Sequence, residues 1–428
     1  MHEHLLVISL DALGTADFGK LKQTPGFQYL IENGTYSDEV VSVCPSLTYP
    51  AHVSIVTGKL PRNHGIINNT KIQPEFDQPE WFWYRKDIHG ETIYDIARKQ
   101  KKTVASLLWP VTGRSRSIKY NLPEIFPVRG YQTQISQVLH AGTPAYCLEL
   151  ERKFGHLRRG IQEPWLDHFV HASARYTFEK YQPYMTLVHY VDLDSMRHIH
   201  GYDSKEAEHA ILRHGERISD WVNLLKESGK LDKTVVVVLG DHSHKPVKKV
   251  IKPNVFLHKL GLLTMVENDI LDWKAYFKSC DGSGYIYVDK AYPGVLELIR
   301  ENLTVLSAYE ENGIARFIDG PTAASRGADP NCAFMLMAGE GFYFDESPVG
   351  DFIEDETTHP AMHHSVHGYD PHIPDYNTVF LMSGPGVKKG HRIRTMNLID
   401  EGPTIAKLMG SSLWGVDGRI LYDFLSEG

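Results

Sequence analysis

TVVVVLGDHSH, residues 234–244, joins a buried strand to a chemical motif with no loop between them. Thr234–Leu239 lacks the alternation of a strand with one wet face, so it reads as a strand covered on both sides, as in a mostly parallel sheet. Asp241 and His242 then fall at its carboxyl end, where open α/β sheets place their ligands. Four other runs have the same character: Leu5–Leu10 (LLVISL), Thr103–Leu108, Thr186–Val191 and Thr378–Met382. Between them lie amphipathic stretches. In Lys205–Glu227, the clearest, Ala207, Ile211, Ile218, Trp221, Val222 and Leu225 share one side at helical spacing. Alternating strands and helices predict an α/β fold.

The remaining chain sets bounds. It has 428 residues, 42% hydrophobic and 23% charged, with a net charge of −8. That composition excludes disorder, collagen and coiled coil, and the acidic balance argues against a nucleic-acid polymer as partner. Cys44, Cys147, Cys280 and Cys332 are too scattered for a zinc knuckle or a disulfide scaffold, and read as reduced core thiols. No apolar run reaches the roughly 18 residues of a membrane span, and MHEHLLVISLDALG lacks the basic start of a secretory signal. The expectation is a cytoplasmic protein with no membrane partner. Two stretches break the α/β rhythm: Gly113–Pro164, loop-rich, and residues 251–355, read as an inserted smaller lobe with a strand candidate at Tyr285–Val288. The core is then discontinuous, 1–250 and 356–428. Oligomeric state cannot be read from the sequence.

Histidine, at 23 residues, exceeds what packing asks for, and it gathers at strand ends. LLVISL runs into Asp11, and TLVHYV into Asp192, Asp194, His198 and His200. TVVVVL runs into Asp241 and His242, and His363, His364 and His367 precede the strand near Thr378. One Asp after a strand is an ordinary turn former; carboxylates and imidazoles at four ends of one sheet are the donors of a metal site. Asp-x-x-x-His spacing puts Asp194 and His198 on one side of a helix and favours Asp194 over Asp192. Which histidine of the last cluster is a ligand stays open on chemistry alone. Separately, Ser46-Leu47-Thr48-Tyr49-Pro50-Ala51-His52 leads into VSIVTG. A hydroxyl there faces the positive end of a helix dipole, where a neighbouring cation could make it a nucleophile.

Asp11, PSLTYPAHVSIVTG (45–58), PRNHGIINN (61–69), DSMRHIHG (194–201), GDHSH (240–244) and HGYDP (367–371) occur in this order. Together they resemble the alkaline phosphatase superfamily, and within it the nucleotide pyrophosphatase/phosphodiesterase branch. The resemblance implies a three-layer α/β/α sandwich with a mostly parallel central sheet. It implies two divalent cations, usually zinc, although mixed oxygen and nitrogen ligation also accepts manganese or iron. Asp11, Thr48, Asp241 and His242 match the ligands of one; Asp194, His198 and His367 match those of the other. Thr48 matches the nucleophile that forms a phosphothreonine intermediate. Asn69 matches the side chain that holds a phosphoryl oxygen, and Tyr49 a residue flanking the substrate. The implied partner is a small phosphorylated molecule, a nucleotide diester or similar, cut at a P–O bond.

Arg197 and Ser243 stand where relatives often carry glycine, and Arg197 is expected to point to solvent. Trp81-Phe82-Trp83-Tyr84 fits a pocket wall or plain core equally well. The absence of arginine beside Thr48 disfavours a phosphomonoesterase, and Cys44-Pro45-Ser46 has its proline misplaced for a sulfatase. A phosphonoacetate-hydrolase-like enzyme shares the threonine and the metals, and differs by an asparagine where this chain has His52. Outside enzymes, the rival is a metal-stabilised binding protein without turnover.

Overall fold

A computed structural model describes residues 2–426. Seven strands carry its main sheet: β1 (His4–Leu10), β2 (Gly34–Val41), β3 (Val104–Leu107), β4 (Tyr120–Leu122), β5 (Met185–Tyr190), β6 (Thr234–Leu239) and β7 (Thr378–Ser383). Their order is β2-β7-β6-β1-β5-β3-β4, and two short strands on β2, His391–Arg392 and Met396–Asn397, bring the sheet to nine. β1 lies at the centre, parallel to β5 and β6, and β3 and β4 continue the parallel run. β7 runs antiparallel to both β6 and β2, so β2 again points the same way as β6.

Successive side chains of these strands go to opposite faces, and both faces are dry. Leu6, Ile8, Leu10, Val236 and Val238 enter one core; Leu5, Val7, Val235, Val237 and Leu239 enter the other. That double burial is why the runs are apolar without alternation. Helices cover each side, completing an α/β/α sandwich. Three position the site: α1 (Thr48–Thr57), α2 (Asp192–His200) and α3 (Lys205–Glu227). α3 starts at Ser204, whose hydroxyl accepts from the Ala207 amide, and its apolar stripe joins the first core. α1 packs Ala51, Ile55 and Val56 into the second core and ends at Gly58, which has φ +66°.

Between β6 and β7 the chain leaves this sheet. Lys245–Ile251 pairs with Gly341–Phe344, Ile353–Asp355 and Ser365–Val366. A separate antiparallel sheet, Ala275–Cys280, Ser283–Val288, Phe334–Ala338 and Ile314–Asp319, has its own core around Phe277, Ile286, Ile299 and Leu336. All four cysteines are buried and free. Among the described residues, no helix is long and apolar enough to cross a membrane.

Candidate active site

Parallel strands bring their carboxyl ends to one edge, and the donors collect there. Asp11 follows β1, Asp241 and His242 follow β6, and α2 rises from the end of β5. Thr48 is the first residue of α1, after the loop from β2. Its Oγ1 lies 3.1 Å from His242 Nε2, which is 3.3 Å from Asp11 Oδ1 and 3.2 Å from Asp241 Oδ2. Cation–ligand bonds of 2.0–2.1 Å at tetrahedral angles put neighbouring ligands about 3.3 Å apart. Asp11 Oδ1 and Asp241 Oδ2 are buried and, among the described residues, have no hydrogen-bond donor. Buried carboxylate oxygens facing a nitrogen at ligand spacing fit a cation between them.

Asp194 and His198 stand one turn apart on α2, with His198 Nε2 3.4 Å from Asp194 Oδ1. His367 Nε2 is 3.9 Å from the same oxygen, and its ring stacks on His242 at 4.1 Å between centroids. Ligand atoms of Asp194, His198, His244 and His367 lie within 4.8 Å of one another, as do those of Asp11, Asp194 and His242. Asp194 therefore belongs to both groups.

The structure separates several alternatives left open by the sequence. Asp192 is held by Arg213 at 2.6 and 2.7 Å and by Arg217 at 3.2 Å, away from Thr48's partners. His200 is exposed. His363 has its ring 4.5 Å from that of His198, and His364 donates its backbone N–H to the His198 carbonyl at 3.0 Å. His52 is buried and structural, bonded to the Thr48 carbonyl at 2.7 Å and Ser9 Oγ at 2.8 Å.

Two expectations are corrected. Tyr49 does not flank the substrate space: it is wholly buried, edge-on to Trp81, and it is Trp81 that lines the cavity. The helix turn that aims Thr48 outward rotates the next residue inward. Arg197 does not reach solvent: it is 1% exposed, bonding Asp17 at 2.6 Å and the Ala12 carbonyl at 2.8 Å. Asn69 lines the cavity, and its Oδ1 accepts the Tyr49 amide at 2.9 Å. That bond leaves its NH2 free to donate. The Thr48 amide is a first-turn N–H with no partner inside its helix, so two donors flank the hydroxyl.

Sequence reasoning missed three contacts. His189, inside β5, sets Nε2 3.1 Å from Asp11 Oδ2. Asp281 Oδ2 lies 3.7 Å from His367 Nδ1. His244 Nε2 lies 2.7 Å from Asp194 Oδ1. The imidazole within an apolar strand and the second histidine of GDHSH were the available signals.

Charge is out of balance in this cluster. Burial, and then the Asp194 charge, pushes Asp11 up to about 7. Burial, and then Asp11, does the same to Asp241. Burial opposes a charge on His198, but Asp194 outweighs it and lifts the imidazole to about 9. His242 is lowered by burial and stays neutral, the form in which imidazole ligates. Cations must therefore displace protons from Asp11 and Asp241. Both carboxyls bind protons more tightly folded than unfolded. They cost the cation-free fold nothing below their unfolded value of 3.8, and progressively more as pH rises toward 7. The gap in melting temperature between zinc-loaded and zinc-free protein is thus expected to widen from pH 5.5 to 8. A constant gap in paired melting curves would count against this site.

A cavity of about 670 Å³ opens on these donors. Thr48, Asn69 and Asp194 line one part; Leu122, Ile125, Phe126, Val138, Leu139 and Phe169 line another.

The family profile described as type I phosphodiesterase / nucleotide pyrophosphatase matches residues 5–370. An ectonucleotide pyrophosphatase/phosphodiesterase of Caenorhabditis elegans is 24% identical over 91% of this chain and 40% of its own length. The bis(5'-adenosyl)-triphosphatase enpp4 of Mus musculus is 24% identical over 95% of this chain and 77% of its own. The chain thus spans less than half of the first relative. The solved murine ectonucleotide pyrophosphatase/phosphodiesterase 5 superposes with a TM-score of 0.68 at 18% identity, covering 99% of this chain and 100% of that one. An inactive variant of that murine protein was solved in complex with AMP.

Proposed function

Because the chain belongs to the type I phosphodiesterase / nucleotide pyrophosphatase family, we propose that it hydrolyses a P–O bond in a small phosphodiester or phosphoanhydride, with Thr48 as nucleophile. The observation that carries this reading is the Thr48 hydroxyl 3.1 Å from His242, beside Asp11 and Asp241, with Thr48 and Asp11 in the wall of the cavity. Asp11, Thr48, Asp241 and His242 would hold one divalent cation, and Asp194, His198 and His367 a second. Their mix of oxygen and nitrogen suits zinc. Bound there, such cations supply Lewis-acid polarisation and charge neutralisation at the attacking and departing oxygens.

The chain's own groups do the rest. Thr48 Oγ gives up its proton to solvent and forms a bond to phosphorus as the ester or anhydride oxygen leaves from the opposite side and takes up a proton from solvent. The side-chain amide of Asn69 and the Thr48 amide donate to the phosphoryl oxygen that gains charge. Water then cleaves the phosphothreonine. Its oxygen stays on phosphorus, one of its protons returns to Thr48 and the other passes to solvent.

Charge supports a diester or anhydride over a monoester. Among the described residues, Arg158 is the only arginine or lysine lining the cavity, and Glu151 already binds it at 3.0 and 2.8 Å. Among the described residues, no arginine or lysine lining the cavity is free to grip a dianion. The AMP held by the murine relative is the monoester left when an adenine nucleotide anhydride is cut, which supports a nucleotide substrate. Bis-p-nitrophenyl phosphate is expected to turn over at least tenfold faster than p-nitrophenyl phosphate in zinc-loaded protein, with phosphonates slower than both. The reverse order would overturn the reading, and no turnover of any substrate would leave a binding protein.

The apolar part of the cavity favours a substituent with a broad apolar face or chain. For a series of alkyl p-nitrophenyl phosphodiesters, kcat/KM should rise with chain length until the space is filled. The ceiling is about fourfold per methylene, from roughly 0.8 kcal/mol per buried CH2. A flat series would place the substituent in solvent.

A further inference from the structure

His244 is outside the two ligand sets proposed for the cations, yet it is 1% exposed and its ligand atom lies within 4.8 Å of those of Asp194, His198 and His367. Its Nε2 lies 2.7 Å from Asp194 Oδ1, and its Nδ1 lies 3.1 Å from Ser365 Oγ. Distance separates two possible roles. Thr48, Asp11 and Asp241 stand 3.1, 3.3 and 3.2 Å from His242 Nε2, and His198 stands 3.4 Å from Asp194. All are near the about 3.3 Å expected between ligands sharing a cation. The 2.7 Å contact falls short of that spacing and within the range of an N–H donated to a carboxylate.

The geometry points to His244 as a positioning residue: its Nε2–H donates to Asp194 Oδ1 and holds that carboxylate beside His198 and His367. The inference rests on the two-cation reading of the site. The Asp194 carboxylate can only accept, which places the proton of this contact on Nε2, while Ser365 Oγ, 3.1 Å from both Nδ1 and the Lys245 carbonyl, holds the other side of the ring. Ser365 lies on the short strand Ser365–Val366, which pairs with Pro246 and Lys245 and delivers His367 one residue later. One imidazole thereby ties together the turn after β6, helix α2 and the approach to His367.

Asp194 needs such a tie because its ligand atom is also within 4.8 Å of those of Asp11 and His242. An untied carboxylate can turn toward that first group, and the second cation then loses its only carboxylate among the three assigned donors. Partners that orient a ligand typically change metal affinity by about 10–100-fold when removed.

Metal-free full-length protein titrated with Co2+, followed by visible absorbance and by metal content, tests the role. Wild type should bind two equivalents. His244→Ala should bind the first with unchanged affinity and the second at least tenfold more weakly. His244→Gln, which keeps a side-chain N–H, should recover to within about threefold of wild type, with the absorption bands unmoved. Equal affinity in wild type and His244→Ala overturns the proposal. So does a His244→Gln variant that stays weak with shifted bands, the signature of a lost ligand. Loss of both equivalents together with a lowered melting temperature of the metal-free variant overturns it as well, as a folding defect. A wild type that binds fewer than two equivalents instead refutes the underlying two-cation reading.

Discussion

Thr48→Ala is expected to reduce turnover of bis-p-nitrophenyl phosphate at least a thousandfold, about 4 kcal/mol on the barrier, while the protein still takes up cations through Asp11, Asp241 and His242. The substitution is clean. Thr48 opens α1, a position where alanine is well tolerated, and the Cβ that packs there is kept. The helix start stays locked by His52, which bonds the Thr48 carbonyl rather than its side chain. What disappears is the hydroxyl facing His242. Thr48→Ser restores that oxygen without the methyl that restricts its rotation, and should lose less than tenfold. Unchanged turnover in Thr48→Ala, with metal content measured alongside, refutes the nucleophile.

The architecture was legible where burial leaves a strong imprint. β1, β5 and β6 are dry on both faces, so their sequences carry unbroken apolar runs, and the same strands end in Asp11, α2 and Asp241. β2 was not legible. Its residues, GTYSDEVV, are polar although five of the eight are buried, because cross-strand partners rather than composition hold them. Asp38, for example, pairs with Lys22 and Arg392 from outside the strand. Yet β2 is the strand that feeds the loop to Thr48. Within the site, donors at strand ends or one helical turn apart could be gathered from spacing. Partners supplied across the fold could not. Arg197 defaults to solvent until Asp17, 180 residues away, is seen to receive it, and His244 is meaningful only beside Asp194, 50 residues away.

Gly368→Ala is expected to destabilise the protein by about 2–4 kcal/mol and to remove the second cation while sparing the first. Gly368 has φ +79°, and a Cβ built there would sit 1.7 Å from the Cys280 carbonyl oxygen. The left-handed conformation alone costs an L-residue about 1–2 kcal/mol, and the overlap must be relieved by moving backbone. That backbone cannot move freely. The Gly368 amide donates to the Ser46 carbonyl at 3.1 Å, and its carbonyl accepts from Ser283 Oγ at 2.6 Å. The His367 carbonyl accepts from the Gly282 amide at 2.9 Å. His367 is thus presented by a peptide wedged between the loop before Thr48 and the turn at Asp281–Gly282, and displacing the wedge carries the imidazole away from Asp194. Gly410 supplies the control: it has φ +70° and nothing within 4 Å of a built Cβ. Gly410→Ala should therefore show only the conformational cost and bind both cations as wild type does. If melting and Co2+ titration cannot tell the two variants apart, the wedge does not hold His367 in place.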